Sequence, residues 1–121
     1  MSQQPLKPLE WIASSKKDLL ATLDEVQQVV GYALHLAQCG LKHEQAKPLK
    51  GFGPAGVLEV IEDDDGNTYR AVYTVRFKNA VYVLHCFQKK SKRGIETPKQ
   101  DLNLIESRLK LAEKHSKGKG K

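Results

Sequence analysis

The chain has 121 residues, of which 40% are apolar and 28% charged, and carries a net charge of +6. That supports one domain with a single modest core. No apolar run approaches the about 18 residues of a membrane span, and Met1 to Pro8 lacks the apolar stretch of a secretory leader, so a cytoplasmic setting without membrane contact is expected.

The charge is uneven. Residues 1–87 hold nine Lys or Arg against ten Asp or Glu, whereas residues 88–121 hold eleven against four. A positive end of this kind favours a polyanion or an acidic protein as partner, and nucleic acid before the latter. Cys39 and Cys86 have no CxxC partners, and His35, His43, His85 and His115 show no HxH or HExxH spacing. The pattern argues against a disulfide scaffold or a metal site, implies no cofactor, and leaves both cysteines as buried small hydrophobes.

Leu6 to Ala13 mixes apolar residues with Pro8 and reads as a short edge strand, following Pro5. Ser15 with Asp18 resembles a capping box. Leu19, Leu23, Val26, Val30, Ala33 and Ala37 then recur at helical spacing, as one bent helix or two, the second starting near Asp24, with Gly40 as the stop. Residues 42–56 are too rich in Gly and Pro for a regular element, and hold no GxxxxGK[ST] phosphate loop.

Three strands follow: Val57 to Ile61, Tyr69 to Phe77 and Ala80 to Phe87. Asp65-Gly66 marks the first turn and Lys78-Asn79 the second, so the strands form an antiparallel meander. Thr97, Pro98 and Gln100 open the last helix, with Leu102, Ile105, Leu109 and Ala112 as its buried stripe. The tail, 116–121, is too polar and glycine-rich to fold. The expected class is thus α+β: strand, one or two helices, three-stranded meander, helix. Residues 1–115 form the single domain.

Alternation puts Tyr69, Ala71, Tyr73, Val75 and Phe77 on one face of the second meander strand and Arg70, Val72, Thr74 and Arg76 on the other. The first set packs on the helices; the two arginines then point away from the core, and an exposed Arg70 is dispensable for folding. Antiparallel pairing brings Arg70 near Phe87 to Lys90. Arg70 with Lys89 or Lys90, and Lys50 from the glycine-rich loop, would make a phosphate-sized cationic site. His85 shares a face with Lys89 and not with Lys90. It is a candidate for proton transfer if exposed, and a satisfied core histidine if not.

Several segments in order resemble the phage-derived, HigB-like branch of the RelE/ParE toxins. They are Lys47 to Gly53, Gly56 to Val60, Tyr69 to Tyr73, Tyr82 to Ser91, and Thr97-Pro98 before a helix; together the resemblance spans about residues 6–114. It implies a RelE-like fold and a metal-independent endoribonuclease that cuts mRNA, generally on the ribosome, held in check by a helix-turn-helix antitoxin. By position, Arg70, Lys89 and Lys90 would be catalytic, and Lys50, Arg76, Lys92 and Arg93 would contact RNA. The tyrosine, or Asp-Tyr-His group, that some members carry in the C-terminal segment is missing from residues 88–121. Two other functions suit the same fold: a ParE-like inhibitor of DNA gyrase, and a degenerate binding module without catalysis.

Overall fold

The structure is a computed structural model, described for residues 6–53, 56–64, 67–89 and 97–119. Eight elements follow one another: β1 (Leu9–Trp11), α1 (Ser15–Leu20), α2 (Asp24–Gln38), β2 (Ala46–Pro48), β3 (Val57–Asp64), β4 (Asn67–Thr74), β5 (Val81–Lys89) and α3 (Lys99–Lys119). The strands form one sheet in the order β1-β5-β4-β3-β2. The expected β3-β4-β5 meander is its centre, antiparallel throughout. This is the RelE-like α+β architecture.

Both edge strands are short. β1 adds in parallel to β5, pairing Leu9 with Val81 and Trp11 with Val83. At the other edge, β2 forms where a loop was expected. Ala46, Lys47 and Pro48 pair antiparallel with Val60, Glu59 and Leu58, a position where proline is tolerated because an edge leaves one side unpaired.

The two possibilities for the first helical region resolve into two helices. Ser14, not Ser15, precedes α1; its hydroxyl donates to Asp18 Oδ2 at 2.7 Å. Ser15 is buried and donates to the Val83 carbonyl, fastening α1 to β5. Leu23 precedes α2 and is exposed, outside the stripe to which spacing assigned it. Gly40, at φ +82°, ends α2 as expected: the Leu41 and Gly40 amides return to the Leu36 and Ala37 carbonyls, a Schellman closure that needs the left-handed conformation.

Helices cover both faces of the sheet. Val26, Val30, Ala33 and Ala37 pack against Val60, Ala71, Tyr73, Val81 and Val83. On the other face Ile105 and Ala112 of α3 pack against Val57, Val72, Tyr82 and Leu84. The face carrying Arg70 and Val72 is therefore a second interior, and the outward-pointing arginine expected there is replaced by a buried one. Cys86 is buried, which pushes its thiol up to about 12, with Asp18 adding to the rise and Arg108 opposing it. Cys39 is only half-buried, its Sγ 3.8 Å from His35 Nε2.

Two connections differ from expectation. Residues 75–80 join β4 to β5, a longer link than Lys78-Asn79, and there alternation lapses: Phe77 joins the α3-side core. The helix α3 continues to Lys119, through the start of the segment expected to stay unfolded. Asn79 accounts for part of this, donating to the Ser116 carbonyl at 3.2 Å and accepting from the Ser116 hydroxyl at 2.8 Å. Among the described residues, no helix is long and apolar enough to cross a membrane.

The packing makes α3 a structural half of the molecule. Ile105→Ala, at a fully buried position, is expected to lower unfolding free energy by about 2–5 kcal/mol. Leu104→Ala, at a position 36% exposed on the same turn, should cost well under half of that; urea unfolding of the two variants measures the contrast.

Candidate functional site

Three strands contribute polar side chains to the interior beneath α3. Register explains the meeting: Glu59 pairs with Val72, Val72 with His85, and Arg70 with Phe87. Residues aligned in this way share a face, so Glu59, Arg70 and His85 all lie on the α3 side. β5 needs an irregularity to manage this. Val72 pairs with His85 but Tyr73 with Val83, leaving Leu84 as an extra residue. At this bulge Leu84 and His85 both face α3, while Val83 and Cys86 on either side join the opposite core.

Glu59 and Arg70 form a buried ion pair. Arg70 is 4% and Glu59 6% exposed, and Arg70 Nη1 donates to Glu59 Oε1 at 3.1 Å and to Thr97 Oγ1 at 3.0 Å. Thr97, expected to cap α3, thus accepts from the arginine, and the helix starts at Lys99. Burial pushes the Glu59 carboxyl above its ordinary 4.5; Arg70, and then Lys47 across the β2–β3 pair, pull the other way without cancelling the rise.

One face of this pair opens into a cleft of about 460 Å³. Glu59 and Thr97 line its inner side, Lys47 and Lys50 its mouth, and Leu102 of α3 its wall. Both lysines are exposed. The cleft is therefore lined by a carboxylate of raised proton affinity, which Arg70 braces, and by two exposed lysines. A group of that composition suits an anionic substrate bearing a removable proton.

His85 stands apart from the cleft lining. Its ring stacks on Phe87 at 4.5 Å, and its Nε2 lies 2.8 Å from Asp101 Oδ1. Arg108 Nη1 donates to the Leu84 carbonyl at 2.9 Å and faces His85 Nδ1 at 3.5 Å, while its Nη2 donates to Ser14 Oγ at 3.2 Å. A guanidinium only donates and a carboxylate only accepts, so the neutral ring fits with its proton on Nε2. Of the two readings of His85, the structure supports the satisfied, buried one.

Among the described residues, the expected cationic cluster is only partly assembled. Lys50 does reach the cleft beside Glu59. Arg70 is near it but is buried against Glu59 and not presented to solvent, so Arg70→Ala is a folding variant as much as a functional one. Arg76 is exposed beyond the end of β4, its guanidinium 5.7 Å from the Phe77 ring centre. The Lys89 backbone pairs with Thr68, two residues beyond the Arg70–Phe87 pair; its side chain, with Lys90, Lys92 and Arg93, lies outside the described residues.

Sequence reasoning missed Glu59, Lys47, Asp101 and Arg108. Glu59 had a signal: it is the single charge in the apolar run Val57 to Ile61, and a charge there must find a partner. Arg108 likewise falls on the helical stripe of Ile105 and Ala112. Among the described residues, no three His, Cys, Asp or Glu side chains converge as a metal site.

A sheet enclosed by helices on both faces, with a charged cleft beside the first turn of α3, defines a small α+β protein of RelE-like architecture. Residues 17–110 match the family described as phage-derived protein Gp49-like (DUF891). The match takes in well over half of the chain, which belongs to that family. Membership agrees in broad terms with the toxin–antitoxin superfamily. No curated protein matches the chain.

The ion pair has a measurable sign. A carboxyl with a raised folded-state pKa contributes stability at low pH that is lost as pH rises through the raised value. Arg70→Met removes the main force opposing that rise. Its cost should be about 3–5 kcal/mol at pH 8, where Glu59 is left charged and buried, and distinctly smaller at pH 4, where Glu59 is protonated. Urea unfolding at the two pH values reads the difference; equal losses would mean that charge is not the cause.

Proposed function

We propose that the protein is a toxin of a type II toxin–antitoxin system, of the phage-derived, HigB-like kind, and that it cuts mRNA in the cytoplasm, on the ribosome. The observation that carries the reading is Glu59: a buried carboxylate with raised proton affinity, braced by Arg70 and opening into a cleft with Lys47 and Lys50. Family membership supports the toxin class. The resemblance supplies the neutralising partner, a helix-turn-helix antitoxin, which would meet the basic surface with acidic groups.

In the proposed reaction the Glu59 carboxylate accepts the proton of a ribose 2′-hydroxyl. The 2′-oxygen bonds to the adjacent phosphorus, the bond from phosphorus to the 5′-oxygen breaks, and that oxygen takes a proton from water. The products are a 2′,3′-cyclic phosphate and a 5′-hydroxyl end. Lys47 and Lys50 stabilise the charge on the phosphoryl oxygens, as preorganised donors do. Arg70 is a positioning residue, holding Glu59 in place through Nη1. This assigns to Glu59 and the two cleft lysines the work that the sequence alone gave to Arg70, Lys89 and Lys90.

The test is expression of the chain alone, with transcripts followed by primer extension, and RNA cleavage by the purified protein. Growth arrest with cut transcripts is the expected result; arrest with a DNA-damage response and intact transcripts would mean a gyrase poison instead. Glu59→Gln, which keeps an oxygen acceptor for Arg70, should slow cleavage roughly 100- to 10,000-fold. The wild-type rate should climb with pH through a midpoint above the ordinary carboxylate value of 4.5, and a single 2′-deoxy substitution at the cut site should abolish cleavage.

The lysines give a separate prediction. Lys47→Ala and Lys50→Ala, both at exposed positions, should change unfolding free energy by no more than about 1 kcal/mol and weaken RNA binding at low salt. Each should also reduce the slope of log affinity against log salt by about one phosphate contact.

A further inference from the structure

A second, smaller space lies beside the cleft, a recess of about 120 Å³ lined by Phe52 on one side and by Asn103 and Glu106 of α3 on the other. Lys50, Gly51 and Leu102 border both spaces, so the two are adjacent. Phe52 is held at the tip of its loop by glycines on either side. Gly51 and Gly53 both have positive φ, +100° and +55°, conformations that L side chains rarely adopt. The ring is half-buried against the α3-side core and leaves part of its surface to the recess. Asn103 and Glu106, three residues apart, share one helix face and are exposed.

From this we infer that the recess is a nucleobase subsite selective for guanine, placed beside the cleft that holds the scissile phosphate; the inference rests on the RNA-cutting reading of that cleft. Single-stranded RNA is recognised by stacking bases on aromatic side chains and hydrogen-bonding their edges. Phe52 supplies the stacking surface. Glu106 supplies an acceptor with no donor, and Asn103 a donor beside it. Guanine alone presents two adjacent donors, N1–H and N2–H, next to the O6 acceptor. Adenine and cytosine each offer one amino donor beside a ring-nitrogen acceptor that a carboxylate repels. Uracil offers one donor between two carbonyls. The Glu106–Asn103 pair can therefore make three hydrogen bonds to guanine and at most two to each of the other bases.

The experiment uses the full chain and the nucleoside 3′-monophosphates of all four bases, which cannot be cleaved, with binding followed by amide chemical-shift changes and calorimetry. Guanosine 3′-monophosphate should bind at least about tenfold more tightly than the other three, with shifts at Phe52, Asn103 and Glu106. Glu106→Gln should remove that preference and Phe52→Leu should weaken all four nucleotides alike, whereas Glu113→Gln, on the same helix away from the recess, should change nothing. Equal affinity for the four, or a guanine preference that survives Glu106→Gln, overturns the inference. Cleavage assays on mixed-sequence RNA separate the two readings. Cutting without Glu106-dependent base preference leaves the nuclease standing and removes the subsite. Glu106-dependent guanine binding without cutting leaves the subsite and removes the nuclease.

Discussion

A charge that must sit inside a protein has to bring its partner with it, and this constraint organises the space between the sheet and α3. Glu59, Arg70, His85 and Arg108 all lie in that layer, none more than 9% exposed. Each is matched from a different element: Arg70 by Glu59 and Thr97, His85 by Asp101, Arg108 by the Leu84 carbonyl and Ser14. The polar contacts stitch the first turns of α3 to the centre of the sheet, while Ile105 and Ala112 supply the apolar burial further along. Removing one partner leaves the other stranded away from water, which is why such layers tolerate loss poorly.

The same layer makes the cleft. Glu59 lines the open space beside β2, whose pairing with β3 sets Lys47 opposite it. Thr97 and Leu102 roof the opening from the helix side. The carboxylate is thus buried enough for its proton affinity to rise and still reachable from the mouth where the lysines stand. Depth and access come from one arrangement.

Periodicity was the reliable guide to the fold. The spacing of Val26, Val30, Ala33 and Ala37 marked α2, and the turn residues marked the meander, because both patterns report local backbone geometry. What could not be read was coverage. Alternation in β4 separates Arg70 from Tyr69, but does not say that a second helix lies over the arginine's face. It also fails at an inserted residue. Leu84 shifts the register of β5, so His85 faces the side of Tyr82 in spite of an odd spacing. The short β2 was hidden because Lys47 and Pro48 have poor strand propensity and are held there by β3. For the site, position near Arg70 and Lys50 was legible. Glu59 was legible in hindsight as a lone charge in an apolar strand, and Asp101 was not, since an acidic residue in a first helical turn is ordinary.

The pairing of β1 with β5 sets a schedule for the chain as it is made. Leu9–Trp11 can complete its ladder only when Val81 to Val83 has emerged, some seventy residues later, and Thr97 and Leu102 must follow before the cleft has walls. Contacts so distant in sequence form late. A nascent chain stalled or truncated before α3 would lack the Thr97 and Leu102 walls beside Glu59, so whatever the cleft does is withheld until that helix has emerged.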